Sequence, residues 1–125
     1  MANVINWFEI PAKNFDRACK FYSNVLDGTV QQMNTEGDMP SRMGFLPGTA
    51  PGSVGGAIVA GEGYEPNANG SIVYLNGGDD LTTSLNRVEP AGGKVIMPKT
   101  NIGENGFIAQ FIDCEGNRVA LHSMS

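Results

Sequence analysis

The chain nearly repeats itself. Trp7 and Ile72 lie 65 residues apart, Phe15 and Leu81 66, Cys19 and Leu85 66, and Gly28 and Gly93 65, in a sequence of 125 residues. A period of about half the chain means two copies of one supersecondary unit that stack to share a core. Any fold proposed for the chain must therefore place the same elements twice, in the same order.

The first copy opens with an extended run, Val4 to Ile10, ended by Pro11. Asn14 then offers a side-chain oxygen to the first turn of a helix. Phe15, Ala18, Cys19, Tyr22, Val25 and Leu26 follow at helical spacing, with Gly28 placed to stop the helix. Thr29–Met33, Arg42–Leu46 and Val54–Ala60 read as strands, separated by turns at Glu36-Gly37-Asp38 and Pro47–Gly52. A polar, Gly-rich connector follows, and the order restarts. Ser71–Asn76 is a strand. Asp79 or Asp80 caps a helix carrying Leu81, Leu85 and Val88, which Pro90 and Gly92-Gly93 terminate. Lys94–Met97 is a strand, and Phe107–Ile112 and Arg118–His122 form a hairpin around Asp113–Asn117. The expectation is an α+β fold of two tandem βαβββ modules. Module one covers about residues 4–60, the linker 61–70 and module two 71–123 of a single domain.

Charge narrows the partners. Thirteen acidic residues against eight basic ones leave a net charge of −5, which argues against a nucleic-acid or polyanionic membrane partner. No run approaches the roughly 20 apolar residues of a membrane span, and the start lacks a secretory pattern. Cys19 and Cys114 show no metal-binding or disulfide spacing. A cytoplasmic location is expected.

Several motifs resemble the vicinal oxygen chelate superfamily, which includes glyoxalase I, bleomycin-resistance proteins and extradiol dioxygenases. They are Asn6-Trp7-Phe8-Glu9-Ile10-Pro11, Phe15-Asp16-Arg17-Ala18, Phe21-Tyr22 and Leu26-Asp27-Gly28 in the first copy. Val73-Tyr74-Leu75-Asn76, Ala91-Gly92-Gly93-Lys94-Val95 and Phe111 through Val119 carry the likeness in the second. The resemblance implies that each module curls into a half-barrel sheet with its helix outside and a cavity inside. Strand alternation then turns Trp7 and Glu9, Ile72, Tyr74 and Asn76, and Arg118, Ala120 and His122 toward the cavity. These eight residues are the expected ligand-binding set.

Catalytic relatives hold a divalent metal with His, Glu or similar residues on the first and fourth strands of each module. By the resemblance those positions are Trp7, Gly56 or Ala57, Ile72 and Ala120 here. An indole, alkyl groups and bare backbone do not ligate such an ion, so neither metal nor cofactor is expected. Glu9, His122 and Glu104 are the remaining candidate donors, and the chain has a single histidine.

Two bland readings stand beside these. Glu9 serves either as a structural partner of Arg118 or as a group that meets a ligand. His122 is either an end-of-strand polar residue or a proton-transfer group. The leading expectation is a protein that binds a small, aromatic, neutral or cationic molecule in a metal-free cavity. A glyoxalase-type lyase or isomerase using a displaced metal or a Glu9/His122 acid–base pair is the alternative, and a dimeric sensor or interaction module the third. The resemblance also implies a homodimer.

Overall fold

A computed structural model describes residues 4–33, 41–48 and 50–125, so the turn expected at Glu36-Gly37-Asp38 lies outside the described residues. The elements are β1 (Trp7–Ala12), α1 (Phe15–Val25), β2 (Gln31–Gln32), β3 (Arg42–Phe45) and β4 (Gly55–Ala60), then β5 (Val73–Asn76), α2 (Thr82–Leu85), β6 (Lys94–Asn101), β7 (Phe107–Ile112) and β8 (Arg118–Ser123). The order βαβββ occurs twice. The strands form two separate four-stranded sheets, β1-β4-β3-β2 and β5-β8-β7-β6, and in each the first strand pairs in parallel with the last. A parallel pair needs a long crossover, which each module supplies through its helix and two intervening strands.

Local chemistry explains α1. The Asn14 side-chain oxygen accepts from the Arg17 N–H at 3.1 Å and caps the first turn. Phe15, Ala18, Cys19, Phe21, Tyr22 and Val25 are buried as one stripe. The helix ends differently from expectation: Asp27, not Gly28, takes the left-handed turn, with φ 51°, and the Gly28 N–H returns to the Ser23 carbonyl at 3.1 Å. Gly28 is needed for another reason. A Cβ there would sit 2.7 Å from the Pro47 Cβ. Its counterpart Gly93 is equally crowded, since a Cβ would lie 2.7 Å from the Ile112 carbonyl oxygen and 2.9 Å from the Phe21 ring. The repeated glycines thus mark two close backbone approaches.

The second helix is shorter than its apolar spacing suggests. Asp80 accepts from the Thr82 N–H at 2.9 Å, but α2 covers only Thr82–Leu85, and turns carry the chain past Val88. Thr82, Thr83, Ser84 and Asn86 are poor helix formers and Pro90 forbids extension, so burial of Leu81 and Val88 rather than propensity holds this segment. The strand expected over Lys94–Met97 is longer than its expected span: β6 runs through Asn101, and a single 3₁₀ turn, Gly103–Asn105, precedes β7. Among the described residues no helix is long and apolar enough to cross a membrane.

One core serves both modules. Phe21 and Tyr22 of α1 pack with Phe111 of β7, Val119 and Leu121 of β8 and Ile58 of β4. The β7–β8 turn docks on α1 through two carboxylates. Buried Asp113 accepts from the Tyr22 hydroxyl at 2.7 Å. Glu115, its side chain 1% exposed, accepts from the Lys13 and Asn14 N–H groups and pairs with the Arg17 guanidinium. Burial pushes the Glu115 carboxyl up, yet the Asn14, Arg17 and Lys13 hydrogen bonds and the Arg17 charge outweigh it and hold it below the ordinary value. Burial, followed by the neighbouring Asp113 charge, raises the Tyr22 phenol well above its usual range, so it remains a donor.

Two predictions follow from this docking. Tyr22→Phe removes a charge-assisted bond from a buried carboxylate and is expected to lower unfolding free energy by about 1.5–3 kcal/mol in urea titration. A depressed folded-state value for Glu115 means stability that is present above the unfolded Glu value, about 4.3, and lost as pH falls through the folded value. Melting temperature is therefore expected to drop more steeply on acidification below about pH 5 in the wild type than in Glu115→Gln, which starts lower at pH 7.

Candidate functional site

Alternation along the strands divides each sheet into a face packed on the helices and a face turned away from them. On β1, Ile10 and Ala12 enter the core and Phe8 packs against it, whereas Trp7 is 41% exposed and Glu9 is exposed. Register settles β4. Trp7 stands beside Gly55 and Glu9 beside Ala57, while Gly56 stands beside Phe8, whose ring occupies the space a Gly56 side chain would need. Ala57 is thus the residue turned away from the helices. Phe45 of β3 flanks it, and the Trp7 and Phe45 rings meet edge to face at 5.9 Å.

The second sheet repeats this layout. Tyr74 of β5, Ala120 of β8 and Gln110 of β7 form one row across the strands, and Asn76, His122 and Ile108 form the next. Ala120 is fully buried beneath its neighbours. Ile72 precedes β5 and is half-buried.

The polar partners differ from expectation in two places. Glu9 does not pair with Arg118: its carboxylate accepts from the indole N–H of Trp7 at 3.4 Å, two residues away on the same strand face. Arg118 instead donates through Nε and Nη2 to the Gln110 side-chain oxygen, at 2.9 and 2.6 Å. Antiparallel pairing of β7 with β8 puts Gln110 within reach, whereas Glu9 belongs to the other sheet. Glu9 and His122 likewise have separate hydrogen-bond partners. The His122 Nε2 lies 2.7 Å from the Asn105 carbonyl oxygen. A carbonyl only accepts, so Nε2 carries the proton and, in the neutral ring, Nδ1 carries the lone pair.

Tyr74, Asn76 and His122 come together at an open cleft of about 760 Å³, completed by Asp79, Ile102, Ile108 and others. Trp7, Glu9 and Ile72 are not part of its lining, and Arg118 and Ala120 approach it only through the Tyr74 row. Sequence reasoning missed Gln110, Asn105 and Phe45. Gln110 was open to detection, because it is the one polar side chain among Ile108, Gln110 and Ile112, which share a strand face. Asn105 acts through its carbonyl, which no side-chain pattern reveals.

The divalent ion implied by the likeness finds no ligands at its usual stations. Trp7 offers an indole N–H already given to Glu9, and Ala57, Ile72 and Ala120 offer hydrocarbon. Among the described residues no three His, Cys, Asp or Glu side chains gather closely enough to hold a metal ion. The residues do not fit the ion. Burial raises both thiols, Cys19 and Cys114, to about 11, and nearby Asp16 and Asp113 push the same way, which leaves them protonated and poorly nucleophilic at neutral pH.

Comparison with known proteins agrees with the geometry. A glyoxylase-like domain-containing protein of Didymella fabae is 34% identical over 120 residues, covering 94% of this chain and 91% of that one. A glyoxalase/bleomycin resistance protein from Albidiferax ferrireducens T118 superposes with a TM-score of 0.70 at 12% identity, covering 98% of this chain and all of that one (100%). TnmS3, an antibiotic binding protein from Streptomyces sp. CB03234, superposes with a TM-score of 0.61 at 20% identity, covering 100% of this chain and 99% of that one. Residues 4–121 match the profile of the Glyoxalase/Bleomycin resistance protein/Dioxygenase superfamily, and the chain belongs to that family.

Proposed function

We propose that the protein binds a small, partly aromatic molecule in a metal-free cavity, as a binding member of its superfamily. The observation that carries this reading is a cleft of ligand size, about 760 Å³, on the second sheet, in a chain whose metal-ligating positions, as the resemblance assigns them, hold Trp7, Ala57, Ile72 and Ala120. Tyr74, Ile102 and Ile108 supply apolar wall, and Asn76, Asp79 and His122 supply polar groups that fix orientation. The structural likeness to an antibiotic binding protein supports the same reading. Free Cys19 and Cys114 suit a reducing, cytoplasmic setting. A catalytic reading rests on His122, the imidazole that lines the cleft.

The protein also pairs as a homodimer in this reading. Trp7, Phe45 and Tyr74 stand 39–47% exposed on the helix-free faces, and among the described residues β2 and β6 are edge strands of their sheets. Light scattering after gel filtration is expected to return about twice the 13.2 kDa chain mass. A mass of one chain refutes the pairing.

Thermal melting tests the cavity. Loading with Zn²⁺, Ni²⁺ or Mn²⁺ is expected to leave the melting temperature unchanged. A matching aromatic ligand at about 100 times its Kd is expected to add about 2.7 kcal/mol of stability and raise it by several degrees. A metal that binds stoichiometrically, with a matching rise in melting temperature, replaces this reading with Lewis-acid chemistry.

A further inference from the structure

The hydrogen-bond row on the second sheet has a direction, and that direction selects a ligand. An arginine only donates, so the Gln110 group facing Arg118 at 2.6 and 2.9 Å must be its oxygen. The Gln110 amide nitrogen then faces the Tyr74 hydroxyl, 3.2 Å away, and a neutral amide nitrogen only donates. Tyr74 Oη is therefore an acceptor toward Gln110, and its own proton is left to donate outward.

Charge points the same way. The ion pairs among the described residues are Lys13–Glu65, Arg17–Glu115, Arg42–Asp16, Arg87–Asp27 and Lys99–Asp80. Arg118 joins none of them. It is half-buried, and its partner is a neutral amide that is itself buried. A guanidinium has more N–H groups than the two bonds to Gln110 use, and Ala120 between the strands leaves no bulky side chain in the way. Such an array turns donors and one positive charge toward a ligand.

We infer that Arg118, oriented by Gln110, and the Tyr74 hydroxyl form a carboxylate-binding site on the helix-free face of the second sheet. The ligand's apolar body lies along Tyr74 into the adjoining cleft. Planar guanidinium matches the two oxygens of a carboxylate, and the phenol supplies a third donor. This inference rests on the cavity reading and narrows it to small aromatic acids. It reverses the sign of ligand charge suggested by the overall net charge of −5, because short-range donors rather than the distant field decide at contact.

The test is calorimetric titration of the full chain with benzoate, benzamide and benzylamine, probes of like size and different charge. Benzoate is expected to bind about tenfold or more tightly than the other two. Arg118→Gln removes the cation, and Gln110→Glu neutralises it while keeping the side chain's size. Each is expected to weaken benzoate about tenfold and leave benzamide nearly unchanged, with circular dichroism confirming the fold. Tyr74→Phe is expected to weaken benzoate by a smaller factor. Equal affinities for benzoate and benzamide, preference for benzylamine, or unchanged benzoate binding in a folded Gln110→Glu protein overturns the carboxylate site and spares the cavity reading. Failure of all three probes to bind at about 10 mM overturns both.

Discussion

A buried carboxylate holds the two halves of this protein in register. Asp113 accepts four hydrogen bonds, from the Tyr22 hydroxyl, the Asn117 side-chain amide and the N–H groups of Glu115 and Asn117. An uncompensated charge in that place costs several kcal/mol, so the turn must adopt the conformation that aims its N–H groups inward, and α1 must bring Tyr22 to it. Asn117 extends the tie by donating to the Pro11 carbonyl and accepting from the Asn67 N–H, which anchors the end of β1 and the connector between modules. Glu115 fastens the outer end of the same turn to the α1 N-terminus, where a negative charge also suits the helix dipole. The β7–β8 hairpin is thereby oriented against the first module, and with it Gln110, Arg118 and His122.

The helix-free faces follow from what that core leaves over. Each sheet has a small residue in its middle, Ala57 in one and Ala120 in the other, with larger side chains leaning over it. In the first sheet those are the rings of Trp7 and Phe45, and the surface is aromatic. In the second they are Tyr74, Gln110 and Arg118, and the surface is a line of directed donors. The same architecture thus yields two unlike surfaces, because backbone repetition does not constrain the side chains that face away from the shared core.

Much of this was legible in the residue order. The period of 65–66, the helical stripe of α1 and the alternation of β1, β5 and β8 identified the elements and the faces of Trp7, Glu9, Tyr74 and Ala120. The actual partners of Glu9 and Arg118 were not legible, since opposite charges in two strands carry no information about which sheet each strand joins. Gly28 reads locally as a helix stop, yet the left-handed residue is Asp27 and the glycine answers to Pro47, nearly twenty positions later in the chain. The second helix misleads for a related reason: its apolar spacing records which residues are buried, not how many turns are hydrogen-bonded.

What the sequence determined by itself was the count, order and sidedness of the elements, because spacing of apolar residues, caps and turn residues act over a few positions and encode backbone periodicity directly. The tertiary structure decided which polar groups meet. Strand register chose Gln110 for Arg118, chain reversal brought the Asn105 carbonyl to His122, and docking of the last hairpin on α1 buried Asp113 against Tyr22. Those partners are separated by 8, 17 and 91 residues. A hydrogen bond requires alignment to within a few tenths of an ångström, and over such separations only the packed core supplies it.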